Sequence, residues 1–376
     1  YNGQQSRLGG TMAVEDVNKA GGIKSMGGAK LEALLGDSQS KVEVGVSEVE
    51  KMNEQGVAAY IGCFQSPVGI AASQAAAKYN TPFLIDVGAS DVLVNRGLKN
   101  VFRLMPGFGV CVDQGIASLG AINKAAGDIA KTAVIVHESG EFGTGTAKLL
   151  ASKLPTIGIQ AKEVIGHDNP TRNFDNIALR IRSLAPDIVM MSNYQNEYML
   201  LARTLYQQKI NVAGFYSILG GGFNYKFVKD MPDVSQYMMD VNHWFNPKSA
   251  KAQELKKRVE AAGALFTFEW VNLDTAGIAT TYGAEPFRDR SRTPLGQRHA
   301  DAFQHVNHAE ERGRIARCNA VIGMIDHGLR RRVRLADSRG IGVAARRRNI
   351  RKDPFLVPGL FLDILVQCPD QIGPVL

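Results

Sequence analysis

From Met12 onward, apolar residues recur by turns with a helical spacing and as short continuous runs, and the two patterns alternate along most of the chain. The spacing predicts a helix over 12–18 closed by Ala20-Gly21-Gly22, then a strand over 30–35. A surface helix follows through Val42, Val46 and Val49, with Glu43, Glu48, Glu50 and Lys51 on its outer face. The stretch 58–90 then reads as a buried strand ending at Gly62, a small-residue helix over 68–79, the break Asn80-Thr81-Pro82, and an apolar strand over 83–85. A strand over 101–105 leads through Pro106-Gly107 into a helix beginning near Val112. Beyond it, strands are expected at 133–137, 160–165, 187–192, 212–216 and 237–241. Helices are expected at 144–154, 174–184, 197–208, 223–230 and 249–262. Such alternation is the signature of βαβ units and predominantly parallel sheets covered by helices.

Candidate chemistry gathers where strands end. Ser66 stands at the start of the small-residue helix, where a serine hydroxyl can accept from a helix N–H while the remaining free amides favour an anion. Ser90, in Gly88-Ala89-Ser90, follows the neighbouring strand. Two adjacent parallel strands would carry both serines to one carboxyl edge, the place where open α/β sheets bind ligands. The competing reading is that both serines only cap helices.

The segments Gly62-Cys63-Phe64-Gln65-Ser66, Ala71-Ala72-Ser73, Thr81-Pro82-Phe83-Leu84-Ile85 and Gly88-Ala89-Ser90 resemble the first-lobe ligand loops of periplasmic solute-binding proteins of the branched-chain amino acid (Liv-type) ABC transporter family. The resemblance runs from Tyr1 to about Trp270. It implies an α/β chain with the two-lobe type I periplasmic binding fold, each lobe a parallel sheet with helices on both faces. Lobe I would be residues 1–107 and 246–284, and lobe II residues 108–245. Hinges would lie at Pro106 to Gly109 and Asn242 to Pro247. The family's opening strand and Ser/Gly loop are not found ahead of the first helix, so lobe I is expected to lack its first strand. The chain begins as a mature or trimmed one would, at Tyr1-Asn2-Gly3.

The same resemblance implies a ligand site made of Phe64, Gln65, Ser66, Gly88 and Ser90 from lobe I, and Phe142, Tyr194 and Leu219 from lobe II. Amino-acid binders of the family place a carboxylate where Leu219 stands, to pair with the ligand ammonium. Its loss points to a carboxylate ligand with an apolar or aromatic body, unless Asp86 or Glu197 takes the acid's place. The implied protein is a monomeric, periplasmic, non-enzymatic binder of an amino acid or of an aromatic or aliphatic acid, working with an inner-membrane ABC permease and needing no cofactor.

Composition changes this picture at one end only. Residues 1–284 carry 27 Lys+Arg against 26 Asp+Glu, and residues 285–376 carry 17 against 10, so the formal charge of +8 comes almost wholly from the tail. The tail has sixteen Arg and one Lys, clusters such as Arg330-Arg331-Arg332 and Arg346-Arg347-Arg348, and no sustained period. Its charge raises nucleic-acid binding, but aromatic interleaving and a recognisable motif are absent. A shifted reading frame or another non-native join is the expectation. Cys63, Cys111, Cys318 and Cys368 form no ligand cluster; a Cys63–Cys111 disulfide stays open beside two buried free thiols. Catalytic motifs are missing apart from Gly140-Glu141-Phe142-Gly143-Thr144-Gly145, a strand-to-helix turn that suggests a nucleotide loop but in the order GxxGxG rather than GxGxxG. An α/β enzyme using that loop is the alternative function, and a ligand sensor without a transporter is the third. His137, at a strand end, is expected to be a hydrogen-bonded structural residue.

Overall fold

The structure is a computed structural model, described for residues 2–23, 27–103, 105–243 and 248–265 and for the backbone of 321–324. Two sheets organise it. The smaller is parallel, in the order β1-β2-β3, from β1 (Tyr60–Ile61), β2 (Phe83–Ile85) and β3 (Val101–Arg103). The larger has six strands in the order β5-β4-β6-β7-β8-β9, from β4 (Thr132–Glu138), β5 (Gln160–His167), β6 (Ile188–Ser192), β7 (Gly214–Ile218), β8 (Met238–Asn242) and β9 (Val321–Met324). All neighbours in it are parallel except β8 and β9.

The burial of each strand follows from its place. Interior strands of a helix-covered parallel sheet have two apolar faces, and β4 and β6 read as near-continuous Val, Ile and Met runs with Ile135, Val136, Met190 and Met191 fully buried. Edge strand β5 instead alternates exposed and half-buried positions along most of its length. Helices α4 (Phe108–Ala125) and α5 (Glu141–Lys153) cover one face, through Val112, Ile116, Ala147 and Leu150. Helices α6 (Asp175–Leu184), α7 (Gln195–Gln207) and α8 (Tyr225–Asp230) cover the other, through Ile181, Leu201, Leu205 and Phe227. On the small sheet, α3 (Ser66–Lys78) packs Ala72, Ala75 and Ala76 against Phe83 and Ile85. It lies close to α2 (Val42–Glu54): a Cβ on Gly45 would stand 2.7 Å from Val68 Cγ1. Far along the chain, α9 (Ala250–Ala261) returns to α1 (Asn2–Lys19), burying Leu255 and Val259 against Met12 and Ala13. Arg258 donates to Asp16 at 2.9 Å across the same contact.

Several expectations change. The first helix begins at Asn2 rather than Met12, and the helix expected to begin near Val112 begins at Phe108. Residues 30–35 form no strand: the stretch is non-regular, no described strand pairs with it, and Leu34 and Leu35 are 39% and 54% exposed. Its residues, Lys-Leu-Glu-Ala-Leu-Leu, include none of the β-branched or aromatic types that favour a pleated surface, so without a neighbouring strand nothing holds it extended in a ladder. The strand expected at 212–216 lies at 214–218, which puts Leu219 directly at its carboxyl end. Cys63 and Cys111, half-buried and buried respectively, are not joined by a disulfide. The tail 285–376, with Cys318 and Cys368, lies outside the described residues apart from the backbone of β9; so do 244–247 of the second expected hinge.

Candidate functional site

The carboxyl ends of β1 and β2 face those of β6, β7 and β8 across a cavity with ≈ 470 Å³ of free space, counted out to its open mouth. Phe64, Ser66, Val87 and Ala89 border it from the small-sheet side. Phe142, Asn193, Tyr194, Gln195, Leu219 and Phe223 border it from the other, with Asn242 and His243 beyond β8. Five of the residues expected from sequence therefore share one cavity: Phe64, Ser66, Phe142, Tyr194 and Leu219.

Gln65, Gly88 and Ser90 are not in the lining. Gln65 takes the N-cap position of α3 that Ser66 was expected to hold, and no side chain caps that helix. Ser66 is instead the first helical residue; its Oγ accepts from the Ser90 amide at 3.2 Å. Gly88 packs behind, its amide donating to Cys63 O at 3.2 Å, with no room for a Cβ beside Leu93. Ser90 is fully buried and caps a short 3-10 turn, Asp91–Leu93, accepting from the Val92 amide while its hydroxyl donates to Glu141 Oε1 at 3.1 Å. The two serines thus form a relay, Ser66 to Ser90 to Glu141, that ties the small sheet to α5.

Aromatic rings wall the cavity. Tyr194 stacks on Phe142 at 5.4 Å between centroids and meets Phe64 at 6.0 Å with a 49° tilt. Burial, with a smaller contribution from Glu138, pushes the Tyr194 hydroxyl above its ordinary pKa, while the Ser66 amide lying against it acts the other way. The phenol is therefore neutral at physiological pH, and the Ser66 amide at the N-terminus of α3 lies against its oxygen.

The floor is the loop Leu219–Phe223. Leu219 has φ 55°, and the three glycines after it are imposed by contact: a Cβ on Gly221 would stand 2.8 Å from Tyr198 Cβ, and one on Gly222 2.7 Å from the Tyr198 oxygen. The loop is drawn down onto Asp240, whose carboxylate accepts from the amides of Gly220 (3.3 Å), Gly222 (2.9 Å) and Phe223 (3.2 Å) and from Asn242 Nδ2 (3.4 Å). Burial nevertheless raises its pKa to about 6, those four donors opposing the shift. His243 donates from Nε2 to Pro106 O at 2.9 Å, joining the two segments expected to be hinges, and burial lowers its pKa to about 4.

None of the described residues lining the cavity carries a carboxylate. Asp86 and Glu197, the candidate substitutes for an acid at Leu219, are buried and do not border it. Asp86 accepts from the Val87 amide, and burial raises the Glu197 pKa. The turn Gly140–Gly145 is also spoken for. Glu138 accepts from the Gly140 and Gly143 amides, both at 2.6 Å, and so fills with a protein carboxylate the cradle a phosphate would need. His137 is hydrogen-bonded through Nδ1 to Glu138 O, a structural role. Among the described residues no group of three His, Cys, Asp or Glu could hold a metal ion, and no helix is long and apolar enough to cross a membrane.

Asn193, Gln195, Asn242 and His243 were not singled out as site residues by sequence reasoning. The first two flank Tyr194 in a polar run just past a strand, which was a usable signal. The last two lay inside a segment read only as a hinge.

A family model described as periplasmic binding protein matches residues 1–305. Among curated relatives, the Leu/Ile/Val-binding protein homolog 8 of Brucella abortus is 27% identical over 243 residues, covering 63% of this chain and 58% of the relative, so the chain spans little more than half of that protein. Among solved structures, the leucine binding protein LivK of Thermotoga maritima superposes with a TM-score of 0.67 at 16% identity, over 80% of this chain and 82% of that one. A solute binding protein of an ABC transporter from Rhodopseudomonas palustris, in complex with 3,4-dihydroxybenzoic acid, gives 0.63 at 15% identity over 81% and 80%. LivJ of Streptococcus pneumoniae, with isoleucine, gives 0.65 at 17% over 80% and 83%. With two helix-covered, predominantly parallel sheets facing one aromatic-walled cavity, and a family match over most of its length, this chain belongs to the periplasmic binding protein family and has the type I fold of the LivK and LivJ structures it superposes on.

Proposed function

We propose that the chain is the extracytoplasmic solute-binding component of an ABC importer, taking a small carboxylate with an apolar or aromatic body into the cavity between two lobes. Residues 1–107 with 246–284 would form one lobe and 108–245 the other, closing by hinge motion at Pro106 to Gly109 and Asn242 to Pro247 and presenting the closed monomer to an inner-membrane permease. The observation that carries the ligand class is the cavity's polarity. The Ser66 amide at the start of α3 and the neutral Tyr194 hydroxyl lie together, rings line the walls, and none of the described lining side chains is anionic. A helix N-terminus favours a carboxylate, whereas an ammonium brought into this space would lose its hydration without an anionic partner. A structural neighbour named for leucine, one holding isoleucine and one holding a dihydroxybenzoic acid bracket the size of ligand this fold accepts.

The enzyme reading is disfavoured because Glu138 occupies the amide cradle of the Gly140–Gly145 turn. Thermal denaturation against amino acids, aliphatic acids, aromatic acids and NAD tests both readings. Stabilisation by small acids without turnover supports the binder. Stabilisation by NAD alone would overturn it.

A further inference from the structure

Three carboxamides border the cavity from the large-sheet side, and in two both the oxygen and the nitrogen are engaged. Gln195 accepts from Asn224 at Oε1 and donates to the Met199 sulfur at Nε2; Asn242 accepts from the His243 amide and donates to Gly220 O and Asp240. The third is Asn193, which is 1% exposed and whose Oδ1 has no hydrogen-bond partner among the described residues.

The direction of that amide follows from its neighbour. His167 Nδ1 lies 2.8 Å from Asp168 O, and a carbonyl can only accept, so Nδ1 carries the proton. Burial lowers the His167 pKa, with His137 acting in the same direction, so the ring is neutral and its Nε2 offers a lone pair. Asn193 must therefore turn its Nδ2 to that lone pair, as the structure shows. The ring itself is held edge-on against Phe174, with 4.9 Å between centroids. The carboxamide cannot flip without setting its oxygen against the histidine lone pair.

We infer that Asn193 is a specificity-determining residue: its locked amide presents an acceptor oxygen at the cavity wall, so the ligand carries a neutral donor, a hydroxyl, in addition to its carboxylate. This rests on the carboxylate reading above and narrows it to hydroxy acids. A buried acceptor left unpaired is costly, and a site with such a group discriminates strongly against the analogue lacking the matching donor. A hydroxyl suits this oxygen better than an ammonium does, because the amide supplies one neutral acceptor and the cavity lining adds no negative charge.

The test is calorimetric titration of the full chain with matched acids: benzoate against its 2-, 3- and 4-hydroxy derivatives, and 4-methylpentanoate against 2-hydroxy-4-methylpentanoate. At least one hydroxylated member is expected to bind tenfold or more tighter than its parent. In Asn193→Leu that advantage, taken as the ratio of the two affinities in the same variant, should fall below twofold. Equal or weaker binding of every hydroxylated member to the wild-type chain would overturn the inference and leave the carboxylate reading standing, as would a hydroxyl advantage that survives in the variant. Absence of binding by all the acids would overturn both. The wild-type comparison needs no variant to fold.

Discussion

The carboxylate under the cavity floor has a consequence that can be measured without knowing the ligand. Asp240 is 5% exposed, and its pKa stands at about 6 instead of the ordinary 3.8. Between those values the folded chain retains a proton that the unfolded chain has released, so this group lowers stability as pH rises through the window and adds nothing further above it. The difference is worth about 3 kcal/mol. Tyr198 and Tyr216, the titratable groups whose own pKa values are pushed up by Asp240, stay neutral throughout the window. In Asp240→Asn the side chain keeps its shape and one acceptor but never ionises. The variant should match the wild type within about 1 kcal/mol near pH 4, where Asp240 is protonated and resembles the amide. It should be more stable by about 3 kcal/mol at pH 7. Urea unfolding of both proteins at pH 4, 5, 6 and 7, followed by circular dichroism, gives the difference directly and cancels every other titrating group. A difference that stays flat across the range would refute the reasoning. The gain should come with weaker ligand binding, since an amide cannot hold the three loop N–H groups as an anion does.

Ser66→Ala removes the acceptor of the buried Ser90 amide, so it should cost about 1–3 kcal/mol of stability and lower affinity for small carboxylates about tenfold, read by urea unfolding and calorimetry. Gly221→Ala forces a Cβ against Tyr198 Cβ and Gln195 Cα, neither of which is a flexible chain end; a loss of about 1–3 kcal/mol and weaker ligand binding are expected, and an unchanged melting temperature would show that the floor loop is loosely packed. His243 acts oppositely to Asp240. Its folded pKa of about 4 lies below the ordinary 6.5, so its contribution is complete above 6.5 and is lost as pH falls toward 4. A His243→Leu variant, without the Pro106 bond, should be less stable than wild type at pH 7, and the deficit should shrink by about 3 kcal/mol by pH 4.

The alternation of periods was enough to read the fold because most of the helices and strands sit where tertiary packing agrees with local pattern. Strands β4 and β6 are buried on both faces and are spelled in Val, Ile and Met. Residues 30–35 failed for the complementary reason. Their apolar content suggested a strand, but a strand is a partnership, and whether a neighbour exists is not written in the segment. In the site, the aromatic walls were legible through the family resemblance of the loops just past strand ends. What was not legible is which polar atoms are already spent. Ser90 looked like a free hydroxyl and is committed to Glu141; the Gly140–Gly145 amides looked available and are filled by Glu138, two residues before the turn. Asp240 and His243 act through contacts with segments 17 to 137 residues away, a separation no local spacing reveals.

The central claim is that this cavity seats a carboxylate and offers no anionic partner to an ammonium. Calorimetric titration of the wild-type chain with leucine and with 4-methylpentanoate, the same skeleton without its amino group, tests it most directly. The account predicts that 4-methylpentanoate binds at least tenfold tighter than leucine, on the scale of a desolvated charge lacking its partner. Micromolar leucine binding with no heat from 4-methylpentanoate would contradict it, and would mean that a buried acid such as Asp86 or Glu197 reaches the ligand after all.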